Sequence, residues 1–426
     1  MRKKVLILWL AAAAVLPAGA QQFKDYFTDK ACRVDFHFCG NAHQTTVFID
    51  NIKQEPVWGG RHYHLGNDLN LGDYRFYVLD SASGAKIYAD GFDALFREWQ
   101  TTPEALKMSK SFEQSLQFPY PRKSVTLIIE KRVDYRQWEE LSRVTIDPSD
   151  KLIERRAPHQ VPVKIIMKTA DPDKAVDIAV IAEGYSAADQ QKFYDDARRL
   201  ADNLLTHEPF ITYKNRINVY AIAAPSEESG ISLPQDSAWK NTAVGSHFYT
   251  FYEPRYLTTL QTKKVRDLAA LVPYDAIYIL ANTSVYGGGG IYNFYALTAA
   301  DNRLATQVSV HEFGHSFAGL GDEYFYEKQD VLSGMYDLKK EPWEPNLTTL
   351  VHFDAKWQAD VTPGTPVPTP STAGYKNNIG AFEGGGYLTK GMFRPAQDCR
   401  MRTNTAPEFC PVCRKAIERM ILFLTE

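Results

Sequence analysis

Three things are scarce in this sequence, and each scarcity excludes a class of protein. Cysteine comes first: five in 426 residues. That is too few for a small disulfide-stapled scaffold, and an odd number leaves at least one thiol unpaired within the chain. Positive charge is not in excess either. Forty-eight Lys and Arg face 51 Asp and Glu, for a net charge of −3, which argues against a nucleic-acid partner. Long apolar runs are the third shortage. The only pronounced one, residues 5–16, is shorter than the roughly 20 residues a membrane-spanning helix needs, so no stable membrane insertion is expected. No internal repeat is visible. What remains is a chain that is 44% hydrophobic and long enough for two domains.

The N-terminus sets the expected compartment. Met1-Arg2-Lys3-Lys4 is a basic start, Val5 to Leu16 is apolar, and Ala18-Gly19-Ala20 is a small-residue cleavage site before Gln21. Residues 1–20 therefore read as a signal peptide, and the product as exported: periplasmic, cell-surface or secreted. No cysteine follows the cleavage site directly, so nothing supports a lipid anchor.

Histidine is also sparse, at ten residues, and two of them stand in His311-Glu312-Phe313-Gly314-His315. Histidines four apart on a helix lie one turn apart on one face, so both imidazoles can reach one ion. Glu312 follows the first and can sit over the ion's open side, placed to take a proton from water there. A chance match to this pattern in a chain of such composition has a probability on the order of one in a hundred. Catalytic zinc usually has three protein ligands. Gly319 and Gly321 can end the helix and turn the chain back, because glycine takes positive φ without steric penalty. Asp322 is the expected third ligand and Glu323 its rival; the spacing excludes neither. One Zn²⁺ per chain is expected.

His311 to Tyr324 reads HEFGHSFAGLGDEY, which resembles the zinc signature of the bacterial IgA metallopeptidase family, a metzincin-like group of secreted zincins. The stretch Gly380 to Arg402 and the run Phe409 to Cys413 agree with it. So do Trp58-Gly59-Gly60 and Gly91 to Ala105, which resemble the family's N-terminal accessory domain. The resemblance implies that Met401 is the methionine of a turn beneath the zinc. One departure is plain. Metzincins usually place glycine three residues after the second histidine and the third ligand three later. Here Gly319 is four after His315 and Asp322 is seven after, so the turn is one residue longer.

Organisation along the chain follows from pattern. Residues 31–50, Tyr74 to Leu79, Phe112 to Phe118 and Val125 to Arg132 read as short strands, which suggests a β-sandwich over residues 21–150. Residues 151–173, rich in charge and proline, read as a linker. From there to 426 the pattern becomes α/β. Strands are expected at Asp177 to Ala182, Ile217 to Ala224, Asp275 to Ala281 and Tyr292 to Leu297, with a helix over Ala187 to Thr206 capped by Ser186. Gly287 to Gly290 read either as the approach to a substrate-pairing edge strand or as a flexible hairpin loop. The fold class is thus α+β: an N-terminal β-sandwich followed by a metzincin-like α/β zinc peptidase domain. Cys399 is expected to form a disulfide with Cys410 or Cys413. Cys410-Pro-Val-Cys413 also reads as half a zinc knuckle, although no further donor is obvious in sequence, or as a redox pair, for which a thioredoxin-like context is missing. Cys32 and Cys39 share one strand and cannot bridge.

The function expected is a zinc-dependent endopeptidase acting on an extracellular protein or glycoprotein, immunoglobulin A being the substrate the family resemblance suggests. The alternative is a surface binding protein that works through the β-sandwich, with a vestigial peptidase domain. Nothing in the sequence specifies an oligomeric state. The leader can be tested directly: intact-mass measurement of protein from its native envelope should give an N-terminus at Gln21, and retention of residues 1–20 would favour a membrane-anchored protein instead.

Overall fold

The structure, a computed structural model, describes residues 23–326 and 334–426; the leader lies outside the described residues. The first half is β-rich. After a single helical turn, α1 (Phe23–Tyr26), come β1 (Phe27–Asn41), β2 (Gln44–Glu55), β3 (Tyr74–Asp80) and β4 (Lys86–Phe92). A short helix, α2 (Leu95–Trp99), precedes β5 (Lys110–Pro121), β6 (Val125–Asp134) and β7 (Gln137–Ile146). Two antiparallel sheets result, ordered β2-β1-β5 and β4-β3-β6-β7. Alternation along the strands turns aromatic side chains inward, where the sheets meet: the ring of Phe38 lies 4.4 Å from that of Tyr74, and Phe36 and Phe76 reach Phe92 and Phe118. Cys32 and Cys39 both lie on β1 and both are free thiols.

The second half is built on a six-stranded mixed sheet, ordered β12-β13-β11-β9-β10-β8. Its strands are β8 (Val163–Met167), β9 (Val176–Glu183), β10 (Ile217–Ile222), β11 (Ala276–Ala281), β12 (Gly288–Ile291) and β13 (Tyr295–Ala299). The three central pairings are parallel and the two outer ones antiparallel. Strands β9, β10 and β11 are buried at every residue, as expected of strands covered on both faces. Helices α3 (Gln190–Leu204), α4 (Thr262–Ala269), α5 (Ala305–Ala318) and α6 (Pro411–Thr425) complete this half, with a hairpin of β14 (Phe382–Gly385) and β15 (Leu388–Arg394). The halves are tied by Arg33, fully buried on β1. It pairs with Asp35 at 2.6 Å on its own strand and with Asp267 of α4 at 2.7 Å.

Several expectations change. The stretch 151–173 is not wholly a linker, because Val163–Met167 forms edge strand β8 against β10. Its exposed, lysine-containing register hides the alternation that marks a half-buried strand. The helix expected from Ala187 begins as a 3₁₀ turn and becomes α-helical at Gln190; the Ser186 N–H donates to the Asp189 carboxylate at 2.9 Å. The strand expected over Tyr292 to Leu297 is interrupted. Residues 292–294 form a turn with Asn293 at φ +52°, and the strands lie on either side of it. The glycines are not a loose loop: Gly288 to Gly290 belong to β12.

Asp177 on β9 is wholly buried, with its carboxylate accepting from Asn218 at 2.8 Å and facing the Tyr220 hydroxyl. Burial pushes its carboxyl up to about 7, against the lowering effect of Asn218 and Tyr220, and the neighbouring buried Asp275 is raised with it. A raised folded-state value means that the stability tied to this group is present below its unfolded value near 3.8 and is lost as pH rises to about 7. Asp177→Asn should therefore melt close to the parent near pH 4 and progressively above it toward pH 7, by thermal denaturation across that range. A gap that does not change with pH would contradict the assignment.

Candidate metal centre

Helix α5 carries the paired histidines because its buried face packs on β12 and β13 and its ends are locally determined. Phe313 and Phe317 stack on each other at 5.1 Å and meet Phe210. The helix stops at Gly319, which adopts φ +63° and donates its N–H to the His315 carbonyl at 3.0 Å. A side chain there would be strained, and its Cβ would strike Trp343. Gly321 has no positive φ; it is needed because a Cβ would lie 2.5 Å from Leu347. Asn346 clamps the Gly321 peptide from both sides, accepting its N–H at 2.7 Å and donating to its carbonyl at 2.9 Å. The one-residue-longer turn is held in shape by that clamp.

The turn delivers Asp322. Its Oδ1 lies 3.1 Å from His311 Nε2 and 3.3 Å from His315 Nε2, and the two nitrogens are 3.0 Å apart. Ligands at about 2.0–2.1 Å around a tetrahedral ion stand about 3.3 Å from one another, so the triangle is of the right size. The tautomers also fit. His311 Nδ1 faces the Arg400 carbonyl at 3.0 Å and His315 Nδ1 faces the Leu320 carbonyl. Each Nδ1–H donates there, which leaves each Nε2 lone pair aimed at the common point. Asp322 Oδ1 is buried without a hydrogen-bond donor, while Oδ2 accepts from the Tyr387 hydroxyl at 2.5 Å. An ion explains both the orphaned oxygen and the convergence. The histidine side chains are 14% and 15% exposed, so one side of the triangle is open to the cleft.

Glu312 lies with its carboxylate within 4.8 Å of the histidine nitrogens. Burial raises its carboxyl above the ordinary glutamate value, with His311 and His315 opposing. For Asp322 burial acts in the same upward direction, but when the imidazoles carry a second proton His315 and His311 overcome it and hold the carboxyl well below the usual range. Met401 lies under the helix: a Cβ on Gly314 would come within 2.8 Å of its sulfur. The cleft above, about 300 Å³, is lined by Gly287 to Gly290, Arg255, Tyr324, Tyr387 and, from the first half, Asp93 and Glu98. The glycines have a packing reason as well as a place in the cleft. A Cβ on Gly288 would stand 2.6 Å from the Glu312 carboxylate, and one on Gly290 would strike the α5 backbone. The outer edge of β12 is engaged in part by the chain at Arg255–Leu257.

Glu323, the rival ligand, points away from the histidines. Its carboxylate accepts from Asn346 at 3.0 Å and from the Cys413 thiol at 3.2 Å. The expected disulfide is not formed: all five cysteines are free, and the Cys399 and Cys413 sulfurs are 3.8 Å apart, nearly twice the length of an S–S bond. The sulfurs of Cys399, Cys410 and Cys413 converge on Glu323 instead, and that convergence leaves no two of them at bonding distance. Several cleft residues were not foreseen. Tyr387 lies in the glycine-rich Gly380 to Arg402 stretch and Glu98 in the Gly91 to Ala105 stretch, but nothing in their spacing assigns a role. Glu98 accepts from the Tyr256 hydroxyl at 2.6 Å, and burial pushes its carboxyl up to about 7.

A helix bearing two convergent imidazoles, a returned carboxylate and a free carboxylate beside them defines a candidate metallohydrolase centre. Family comparison agrees. The description IgA Peptidase M64 matches residues 164–374 and 371–421, and Peptidase M64 N-terminus matches residues 22–142. The chain belongs to the IgA peptidase M64 family and is a peptidase. A search of curated proteins found no match.

Tyr387→Phe removes the hydrogen bond that orients Asp322 and little else. Metal affinity should fall roughly ten- to a hundredfold, measured by competition with a chromogenic chelator. Unchanged affinity would mean that the Tyr387–Asp322 contact does not orient the ligand.

Proposed function

We propose that this chain is an exported zinc-dependent endopeptidase that hydrolyses peptide bonds of extracellular proteins or glycoproteins. The observation that carries the reading is the convergence of His311, His315 and Asp322 within 3.3 Å of one another, with Glu312 beside them. Nitrogen and carboxylate donors in a three-ligand set suit zinc. When bound, zinc supplies a Lewis acid that polarises a carbonyl and makes water more acidic. The protein's own groups do the rest. Glu312, as a carboxylate whose proton affinity burial raises above the ordinary glutamate value, takes the proton from the attacking water and hands it to the departing amine. Arg255, on the same cleft, offers positive charge to an oxygen that gains negative charge. Met401 beneath Gly314 supports a metzincin-like arrangement for the domain following the linker. The first half, read as a β-sandwich accessory domain, contributes Asp93 and Glu98 to the cleft wall and so bears on which peptides enter.

The family's description points to immunoglobulin A; the class proposed for this chain is protein or glycoprotein outside the cell, reached through the leader at residues 1–20. A purely adhesive role is disfavoured, because such a role gives no reason to keep three donors, their carbonyl partners and Glu312 in register.

Glu312→Gln keeps the side chain's shape but cannot accept a proton. Hydrolysis of casein or immunoglobulin should fall by roughly two to four powers of ten, with the metal at His311, His315 and Asp322 retained and the residual activity abolished by chelator. Near-normal turnover, or loss of the metal in this variant, would remove Glu312 from the role assigned to it.

A further inference from the structure

A second cluster of metal-ligating side chains lies one residue along from Asp322. Glu323, Cys399, Cys410 and Cys413 each present a ligand atom within 4.8 Å of the others. All four are buried, with Glu323 and Cys413 wholly so. The Cys399 and Cys413 sulfurs are 3.8 Å apart. Thiolates about 2.3 Å from a tetrahedral zinc stand about 3.8 Å from each other. Glu323 contributes an oxygen 3.2 Å from the Cys413 sulfur, and its second oxygen is buried without a hydrogen-bond partner. The Cys410 backbone N–H donates to the Cys399 sulfur at 3.1 Å, which orients that sulfur toward the other donors.

We propose that these four residues form a structural zinc site, separate from the cleft, with three thiolates and the Glu323 carboxylate as ligands. A carboxyl group among three sulfurs, with an unsatisfied buried oxygen, is costly to fold around. A divalent cation offsets that cost; a disulfide between any two of the sulfurs leaves the oxygen where it is. Soft sulfur donors in a four-coordinate closed set select zinc over magnesium or calcium. The fourth donor that Cys410-Pro-Val-Cys413 lacks in sequence is thus supplied by the carboxylate next to Asp322.

The site's position gives it a purpose. Cys399 precedes Arg400, whose carbonyl accepts from His311, and Met401, whose carbonyl accepts the Glu323 N–H at 2.9 Å. Cys410 caps α6 and Cys413 lies in its first turn. One ion would fasten the start of α6, the Met401 segment and the turn after α5 together, directly behind the histidine that faces the cleft. The adjacent pair Asp322 and Glu323 would then serve two centres from opposite sides of one backbone.

Metal analysis of the full chain expressed with zinc tests this, and the double-variant measurement separates it from the peptidase reading. Wild type should hold two ions, and the His311→Ala/His315→Ala double variant one. Cobalt loaded into that double variant should give an intense sulfur-to-cobalt charge-transfer absorption. Denatured wild type with chelator and no reductant should titrate all its cysteines as thiols. Cys410→Ser should lose the ion that survives in the double variant; if it fails to fold, the wild-type and double-variant measurements still decide. A single ion in wild type with none in the double variant would overturn the proposal and leave the cleft site standing. So would two thiols missing from the count, which would mean a disulfide. One ion in wild type that persists in the double variant with the sulfur signature would support this site and remove the cleft site instead.

Discussion

Helix α5 ends where Gly319 takes φ +63°, and the two carboxylates that follow owe their positions to that reversal. Without it the chain would continue past His315 and neither Asp322 nor Glu323 would return. The reversal is stiffened by the Asn346 clamp on Gly321 and by the main-chain bond from Glu323 to Met401. Side chains on adjacent residues of an extended segment point to opposite sides. Asp322 therefore faces the histidines, and Glu323 faces the cysteines. Histidine orientation rests on the same frame, since the Leu320 carbonyl that fixes His315 belongs to the turn itself.

The rest of the catalytic half serves to hold this frame under an open cleft. Strand β12 approaches α5 so closely that a Cβ at position 290 would strike the helix backbone and one at 288 would displace the Glu312 side chain. That close approach places the Glu312 carboxylate beside the edge of the sheet, at the floor of the cleft. Across the cleft, the first half brings Glu98, joined to Tyr256 of the second half. The buried ionic group around Arg33 couples the halves at a distance from the cleft. A cleft whose walls come from both halves keeps its width only if such contacts hold the halves in one arrangement.

How much of this was legible in the sequence depended on how local the signal was. His311, Glu312 and His315 were readable because one helical turn converts spacing into proximity. Asp322 followed from the glycines, although spacing alone could not separate it from Glu323; the decision rests on cysteines some 76 to 90 residues later, which no local pattern relates to it. Tyr387 and Glu98 reach the cleft only through tertiary packing. The elements missed or left open were those whose composition conceals their environment. Edge strand β8 carries exposed residues and a lysine, and β12 is mostly glycine, so neither shows the apolar alternation that marks a half-buried strand. The disulfide expectation failed for a related reason: sequence proximity of thiols says nothing of a buried carboxylate waiting among them.

The central claim is that His311, His315 and Asp322 enclose one ion with Glu312 beside it and Glu323 apart from it. Anomalous diffraction at the zinc edge, from crystals of the full chain grown with zinc, tests this most directly. The account predicts a peak about 2.0–2.2 Å from His311 Nε2, His315 Nε2 and an Asp322 oxygen, with the Glu312 carboxylate outside bonding distance. A peak bonded to Glu312, or a cleft ion that takes Glu323 in place of Asp322, would contradict it.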